Sequence, residues 1–156
     1  MKFIHLSDLH IGKRVNEFSM LEEQRYILLK ILEIIEQEKP DAVLIAGDVY
    51  DKSQPSGEAV KMLDEFIFRL SDMPLSAFII SGNHDSAERL AFGSRIMERA
   101  NIFISPVYDG TIQKHTLKDE WGEVNIFMLP FIYKKGMICY TKAMSGDMQG
   151  YWSNYF

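Results

Sequence analysis

The segment that most constrains the fold is AVLIA, residues 42–46, which is apolar at all five positions. A strand without a polar face is typical of a sheet that is covered on both sides. Apolar residues at helical spacing precede this run from Leu21 to Glu38, and a second helical stripe follows from Gly57 to Leu70. The sequence therefore predicts a buried strand between two helices, as in a parallel α/β sheet.

The rest of the chain continues this alternation. Ser19 to Glu22 has the pattern of a capping box for the first helix, and Pro40 is expected to stop it. The other predicted elements are strands at Phe3–Ser7, Leu75–Ile80 and Ile102–Ile104, a third helix at Ser86–Ala100, and a hairpin made of Thr111–Leu117 and Val124–Leu129. Strands joined by connections long enough for helices are typical of an α/β fold with a parallel centre.

Composition narrows the class of protein. The 156 residues suffice for one domain with a sizeable core, and the formal net charge of −5 gives no global basic footprint for nucleic acid. The single cysteine, Cys139, excludes an intramolecular disulfide and makes the cytoplasm the expected compartment. The polar N-terminus is unlike a signal peptide, and no apolar run is long enough for a membrane span. We therefore expect a cytoplasmic protein that does not associate with membranes.

Polar side chains follow three of the predicted strands at the point where each strand ends. The clusters are DLH at residues 8–10, GDVYD at residues 47–51 and GNHD at residues 82–85. The carboxyl ends of parallel strands meet along one edge of a sheet, where ligands bind. The side chains expected to share one pocket are Asp8, His10, Asp48, Asp51, Asn83, His84 and Asp85.

These side chains offer oxygen and nitrogen ligands and no thiolate. Such a donor set suits manganese, iron or zinc, with magnesium as an alternative. Carboxylates crowded into one pocket repel one another unless cations neutralise them. The sequence thus predicts a divalent-metal site at this edge of the sheet.

The three clusters, in order, resemble the D-x-H, G-D-x-x-D and G-N-H-D motifs of the calcineurin-like metallophosphoesterases. The longer stretches FIHLSDLHIGK, AGDVYDKSQPS and GNHDS, with MLPF at residues 128–131, resemble the SbcD-like DNA repair nucleases within that superfamily. The resemblance covers about residues 1–132, which it identifies as the N-terminal portion of a metallophosphoesterase nuclease domain. The fold that it implies is a layered β-sheet core flanked by helices, incomplete on its C-terminal side.

The resemblance also implies a role for each predicted metal ligand. Asp8 and His10 would bind the first of two metal ions, and Asp48 would bridge both ions. Asn83 would bind the second ion through its amide oxygen. Manganese is the expected metal, with magnesium, iron or zinc as alternatives. The two ions would hold the phosphate and activate water for in-line attack.

Three further residues would act around the metal ions. The resemblance places His84 against the scissile phosphate, where it would stabilise developing charge or protonate the leaving oxygen. It gives Asp85 the task of orienting and charging His84, the usual pairing of a carboxylate with an imidazole. Asp51 is expected behind the metal ligands.

The function that the resemblance implies is nuclease action in double-strand break repair and recombination. SbcD-like nucleases are exonucleases and endonucleases on DNA ends and hairpins, and they work with an SbcC-type ATPase. The predicted helices at residues 57–70 and 86–100 carry apolar stripes wider than one core face needs. These helices favour a homodimer, the use that SbcD relatives make of the corresponding helices.

The resemblance is incomplete in its histidines. The family pattern continues with a further lone His and a G-H-x-H motif, which supply the remaining metal ligands. Among the four histidines of this chain, His5 is expected in the core and His115 on the surface of the hairpin, and neither stands in such a motif. Residues 133–156 form an unassigned tail rich in aromatic residues and Met. The chain is therefore expected to be the N-terminal part of an SbcD-like protein, truncated or frame-shifted near Tyr133, with the SbcC-docking segment beyond residue 156.

Two other functions stay open. The same motifs serve enzymes that act on small or protein phosphoesters, and the missing histidines are also consistent with a dimerising fragment whose catalysis is impaired. Lys13 and Arg14, beside the first cluster, are equally consistent with contacts to DNA phosphates and with a solvated loop. The Gly12-Lys13 stretch and the predicted dimer helices favour the nuclease.

Overall fold

The structure is a computed structural model that describes residues 1–132, so the predictions for the tail at residues 133–156, including Cys139, lie outside the described residues. The elements in chain order are β1 (Phe3–Leu6), β2 (Arg14–Val15), β3 (Phe18–Ser19), α1 (Leu21–Glu38), β4 (Ala42–Ala46), α2 (Gly57–Ser71), β5 (Ser76–Ile80), α3 (Ala87–Leu90), α4 (Ser94–Met97), a 3₁₀ turn (Glu98–Ala100), β6 (Ile102–Ile104), β7 (Gln113–Asp119) and β8 (Gly122–Met128). The predicted α/β fold is confirmed. Among residues 1–132, none of the helices has both the length and the apolar character needed to cross a bilayer.

The central sheet has four parallel strands in the order β1-β4-β5-β6. Its inner strands β4 and β5 pair from Ala42 opposite Ser76 to Ala46 opposite Ile80. Val43 belongs to the apolar cluster on one face of the sheet, and the neighbouring residues of β4 pack against a second cluster on the other face. The all-apolar AVLIA run follows from this cover on both faces, as predicted.

Helices α1 and α2 cover the first face. Leu32 and Ile35 of α1 join Met62 and Phe66 of α2 and the sheet side chains in one buried cluster. Helix α2 has a standard beginning, because the N–H of Ala59 donates to the hydroxyl of the N-cap Ser56 at 3.2 Å. The helices thus fix the sheet from one side and leave its carboxyl edge open to the loops.

The β7–β8 hairpin covers the second face. Leu117 and Met128 join Phe78 in an apolar cluster, and the ring centroid of His115 lies 4.3 Å from that of Phe103 and 5.5 Å from that of Phe78. Burial lowers the pKa of His115. The prediction that His115 is a surface residue is therefore wrong: strand alternation turns it inward, onto the aromatic side chains of the sheet.

Strand β1 forms an edge of the sheet, and this position corrects two predictions. The sequence predicts a buried strand with His5 in the core, but Phe3 and His5 are both exposed. Within the described residues, β1 pairs with β4 alone. Within residues 1–132, strand β1 is therefore an edge strand that is covered only on the face of the sheet where α1 and α2 pack.

Two helix ends also differ from the predictions. The N-cap of α1 is Met20, whose side chain makes no capping bond, and Ser19 belongs to β3, so the predicted capping box is wrong. The predicted helix Ser86–Ala100 is divided into α3, α4 and the 3₁₀ turn. The division falls at Gly93, whose φ of +76° is a left-handed conformation that ends a helical run.

Candidate metal centre

Three loops meet at the carboxyl edge of the sheet, following β1, β4 and β5. The first two continue the parallel pairing beyond the strands. The N–H of His10 donates to the carbonyl of Asp48 at 2.9 Å, and the N–H of Ile11 donates to the carbonyl of Val49 at 2.9 Å. Because backbone bonds join these loops, the side chains that project from them have defined positions.

Three of the predicted metal ligands have a left-handed backbone conformation. The φ angle is +56° at Asp8, +44° at His10 and +50° at Asp48. This conformation costs about 1–2 kcal/mol for a residue with a Cβ atom, and it persists where the surrounding structure overdetermines the backbone, often at functional sites. Gly82 accommodates the turn, because a Cβ atom there would clash with the Asp48 carboxylate.

Ligand atoms from two loops converge on one space. Nε2 of His10 lies 3.9 Å from Oδ1 of Asp8 and 3.9 Å from Oδ2 of Asp48, which is too far for a hydrogen bond. Two ligands bound to one ion at about 2.1 Å are at most about 4.2 Å apart, so the atoms of each of these two pairs are close enough to share a divalent ion. Carboxylate oxygens and an imidazole nitrogen suit manganese, iron, zinc or magnesium.

Asp51 lies behind His10. Its Oδ1 is 3.6 Å from Nδ1 of His10, which is buried and makes no hydrogen bond within the described part of the chain. A carboxylate on the far side of a metal-binding imidazole commonly orients the ring and raises its basicity. Whether Asp51 orients a metal ligand or is an ordinary turn residue stays a prediction.

His84 projects from the third loop, next to the metal ligands. One ligand atom of His84 lies within 4.8 Å of ligand atoms of His10 and Asp48. The backbone N–H of His84 donates to Oδ1 of Asp48 at 3.0 Å, and its Nδ1 lies 3.0 Å from the carbonyl oxygen of Asp51. Because a carbonyl can only accept, Nδ1 carries the hydrogen and Nε2 offers a lone pair to a proton or a metal ion.

Asp85 is 4% exposed, and its carboxylate accepts three backbone hydrogen bonds. The donors are the N–H groups of Val49 at 3.0 Å, Tyr50 at 2.8 Å and Gly82 at 2.8 Å. The resemblance gives Asp85 the task of orienting the neighbouring imidazole, but in the structure that ring contacts the Asp51 carbonyl. Asp85 instead joins the second loop to the third.

The remaining predicted ligand, Asn83, lies on an exposed turn between Gly82 and His84. The structure thus brings every predicted site residue to one edge of the sheet. The ligand atoms that lie within 4.8 Å of one another belong to His10, Asp48 and His84, and Asp8 lies 3.9 Å from Nε2 of His10.

Sequence reasoning missed Gln24, which projects from α1 into the first loop. Its Nε2 donates to the carbonyls of Leu9 at 3.1 Å and His10 at 2.7 Å, and its Oε1 accepts from the N–H of Gly12 at 2.9 Å. These bonds satisfy loop groups that have no strand partner. A polar residue near the start of a surface helix is ordinary, so the sequence carries no signal for this role.

Comparisons with known proteins identify the family of this chain and two relatives. Residues 1–141 match the family described as calcineurin-like phosphoesterase. The chain is 39% identical over 132 residues to a subunit of the nuclease SbcCD from Staphylococcus saprophyticus, an alignment that covers 84% of this chain and 34% of the relative. It is 40% identical over 134 residues to the corresponding SbcCD protein from Staphylococcus epidermidis, with coverage of 84% and 34%.

The chain therefore spans about a third of the length of these curated relatives. The family match includes all three polar clusters, and it extends past residue 132, where the described structure ends. With most of its length matched, this chain belongs to the calcineurin-like phosphoesterase family.

Proposed function

We propose that this chain carries part of the catalytic site of a metal-dependent phosphodiesterase that cleaves DNA. The observation that carries the proposal is that Nε2 of His10 lies 3.9 Å from the carboxylates of both Asp8 and Asp48, with His84 beside His10 and Asp48. The relatives are named as subunits of a nuclease, which makes a DNA phosphodiester the first substrate to consider.

The proposed site takes two divalent ions, with manganese first and magnesium, iron or zinc as alternatives. Asp8 and His10 would hold the first ion, Asp48 would hold both ions, and Asn83 would hold the second ion through its amide oxygen. Bound ions in such a site polarise the phosphoryl group and lower the pKa of water. The left-handed backbone at Asp8, His10 and Asp48 supports this assignment, because such conformations cluster at functional sites.

His84 has the position of a general acid. Its Nδ1–H donates to the Asp51 carbonyl, which fixes the orientation of the ring. Nε2 is then the ring nitrogen that accepts and releases a proton during the reaction. Protonated at Nε2, the imidazole donates to the leaving oxygen of the phosphodiester. Asp85 keeps the third loop in place through its backbone bond to Gly82.

The test is Mn²⁺-dependent cleavage of a labelled DNA hairpin by the 156-residue chain. Asp48→Ala should abolish cleavage, since both ions lose a ligand. Asp72→Ala, an exposed carboxylate at the end of α2, is the matched control and should leave cleavage unchanged. Hydrolysis of p-nitrophenyl phosphate esters without DNA cleavage would favour a small-substrate enzyme, and a folded chain that hydrolyses neither substrate and does not bind Mn²⁺ would contradict the proposal.

We also propose a homodimer through the regions predicted from sequence, residues 57–70 and 86–100. The exposed apolar side chains there are Val60 (45%) and Phe68 (64%) on α2, and Phe92 (84%) and Ile96 (75%) around α3 and α4. Large apolar groups exposed to this extent are typical of a protein contact. Phe66, in contrast, is 2% exposed and packs in its own core, so it cannot supply the interface.

Light scattering tests the dimer. Phe92→Glu combined with Ile96→Glu should give a monomer from a dimeric wild type, because a charge in an apolar contact is costly. Phe127→Glu, at a side chain 64% exposed on β8, is the matched control and should remain dimeric. A monomeric wild type at micromolar concentration would refute the interface.

The names of the relatives also suggest a complex. We propose an SbcC-type ATPase as the partner in cytoplasmic double-strand break repair and recombination, with its docking segment beyond residue 156. A longer protein that contains this chain should co-elute with the ATPase in gel filtration, whereas residues 1–156 alone should elute separately. Co-elution of the 156-residue chain would place the docking surface within it.

A further inference from the structure

A short β-ribbon rises directly from the first metal loop. Strands β2 and β3 pair with Arg14 opposite Ser19 and Val15 opposite Phe18. The two turn residues have φ angles of +47° and +71°, the conformation of a tight two-residue hairpin whose twist matches its strands. The ribbon is therefore a compact arm with a defined shape.

The base of the ribbon is fixed to a predicted metal ligand. The N–H of Lys13 donates to the carbonyl of His10 at 3.0 Å, and the N–H of Met20 donates to the carbonyl of Lys13 at 3.0 Å. Gln24 holds the same His10 carbonyl at 2.7 Å. These bonds give the ribbon a constant position relative to the metal centre.

One face of the ribbon borders a cleft. Arg14 and Ser19 line this cleft of about 280 Å³, and Lys52 and Ser56 lie on its other wall. Asp51 also lines it, and through its 3.6 Å contact with His10 it connects the cleft to the metal ligands. The cleft therefore leads directly to the proposed catalytic centre.

The charges of the cleft suit a phosphodiester strand. Arg14 and Lys52 are cationic, and Asp51 and Glu58 are the carboxylates that line the same space. Asp51 faces His10, and Glu58 lies in the first turn of α2, where the helix dipole offsets its charge. The Arg14 guanidinium also donates to the carbonyl of Glu17 in the ribbon turn, so its remaining N–H groups and the Lys52 ammonium are the donors available to a phosphate.

The other face of the ribbon is apolar and exposed. Neighbouring side chains of a strand point to opposite sides, so Val15 and Phe18 point away from Arg14 and Ser19. Val15 is 46% exposed and Phe18 is 77% exposed, and the two form a cross-strand pair. An exposed aromatic ring beside an aliphatic side chain offers a stacking surface that suits any base.

We propose that this ribbon, residues 14–19, separates the two strands of a DNA end. Its polar face guides one strand through the cleft to the metal centre, while Val15 and Phe18 cap the last base pair. The cleft volume of about 280 Å³ is close to the lower limit of about 300 Å³ for ligand sites, which suits a single nucleotide better than a base pair. The inference rests on the proposed DNA substrate and adds the way in which that substrate is opened.

The test uses a duplex with 2-aminopurine in its terminal base pair, whose fluorescence rises when the base unstacks. The chain is studied with Ca²⁺, so that binding is read without cleavage. Wild type should raise the fluorescence, and Val15→Ser combined with Phe18→Ser should weaken binding to the duplex end about tenfold, the effect of losing one base–aromatic stack. Trp121→Ser, at an 86% exposed aromatic on the tip of the β7–β8 hairpin, is the matched control and should behave as wild type.

Single-stranded DNA of the same length tests the other face. The double variant should bind it within about twofold of wild type, because the stacking pair acts on the duplex end. Lys52→Ala should instead reduce the slope of log affinity against log salt by about 0.7, the value for one phosphate contact on a single strand.

Three results would overturn the inference. A double variant that opens the duplex end like wild type would assign the apolar pair to a protein contact. Equal damage from Trp121→Ser would show a non-specific apolar effect. A wild type that binds neither form of DNA would remove the proposed DNA substrate itself, whereas the first two results would refute the strand-separating role alone.

Discussion

The carboxyl edge of the sheet and the face beneath the β7–β8 hairpin are held together by different forces. At the edge, polar side chains and backbone groups join the loops, with Asp85 and Gln24 each making three hydrogen bonds. At the face, Phe78, Phe103 and Met128 form an apolar cluster with the hairpin. Ligand placement therefore depends on a few polar contacts, whereas global stability depends on apolar packing. We expect that a substitution can change the metal affinity without changing the free energy of unfolding, and the reverse.

The largest expected loss of stability tests the apolar side of this comparison. Phe78→Ala removes a side chain that is 3% exposed and should lower the free energy of unfolding by about 3–5 kcal/mol. Urea denaturation measures this loss, and Mn²⁺ titration by electron paramagnetic resonance should give an unchanged affinity for the folded fraction. Phe127→Ala, at an exposed position, should change stability by less than about 0.5 kcal/mol. Weakened Mn²⁺ binding by the folded Phe78→Ala variant would contradict the independence of metal affinity from global stability.

Asp85→Ala should instead affect both properties. It leaves three backbone N–H groups without their acceptor, at about 1–3 kcal/mol for each one that water cannot reach. We expect a loss of about 3 kcal/mol in the free energy of unfolding together with a loss of Mn²⁺ binding in the molecules that stay folded. Asp85→Asn, which keeps one accepting oxygen, should have a free energy of unfolding and a Mn²⁺ affinity between those of Asp85→Ala and wild type. Normal Mn²⁺ affinity in folded Asp85→Ala would show that the loops keep their positions without this carboxylate.

Gln24→Leu should reverse the pattern seen at Phe78. Leucine keeps much of the volume but loses the bonds to the first loop, so stability should fall by about 1 kcal/mol. The affinity for Mn²⁺ should fall about tenfold, as for other residues that orient a metal ligand. Isothermal titration calorimetry measures the affinity. Gln37→Leu, at an exposed position on the same helix, is the matched control, and equal affinities of the two variants would contradict a positioning role for Gln24.

The same division explains how much of the molecule could be predicted from its sequence. The AVLIA run and the stripes of α1 and α2 record burial directly, so the parallel sheet and its helical cover follow from them. The polar clusters at strand ends predict which side chains lie together at the carboxyl edge of the sheet. The apolar pattern does not distinguish an edge strand from a buried one, because a strand covered from one side only is still apolar. For this reason the sequence predicts β1 as buried. Gly93 divides a predicted helix because a helical stripe says nothing about backbone φ.

Contacts between a side chain and a backbone segment distant in sequence are the hardest features to predict from the sequence. Asp85 follows His84 in the chain, which favours a pairing of the two, yet its carboxylate turns to the N–H groups of the neighbouring loops. Gln24 is separated from the first loop by the whole ribbon. Such contacts depend on how loops pack around one another, and local patterns in the sequence do not contain that information.

The smallest expected effect concerns the pH dependence of the covered face. Burial against Phe78 and Phe103 lowers the pKa of His115, and the charge of Glu98 opposes this only in part. Below its ordinary value of 6.5, His115 therefore binds more protons in the unfolded chain than in the folded one. The resulting contribution to stability is present above that pH and is lost as the pH falls through it.

His115→Gln should remove this dependence, because glutamine does not titrate. Urea denaturation of wild type and variant at several pH values between about 7.5 and 5 measures the difference in their free energies of unfolding, and other titrating groups cancel in that difference. The advantage of wild type should shrink as the pH falls, while the Mn²⁺ affinity of the folded protein should differ little between the two, since His115 packs on the Phe78 and Phe103 rings on the face of the sheet. A constant difference in stability across this range would mean that the imidazole is as accessible to protons in the folded protein as in the unfolded chain, and that the hairpin covers the sheet less tightly than its contacts with the two aromatic rings imply.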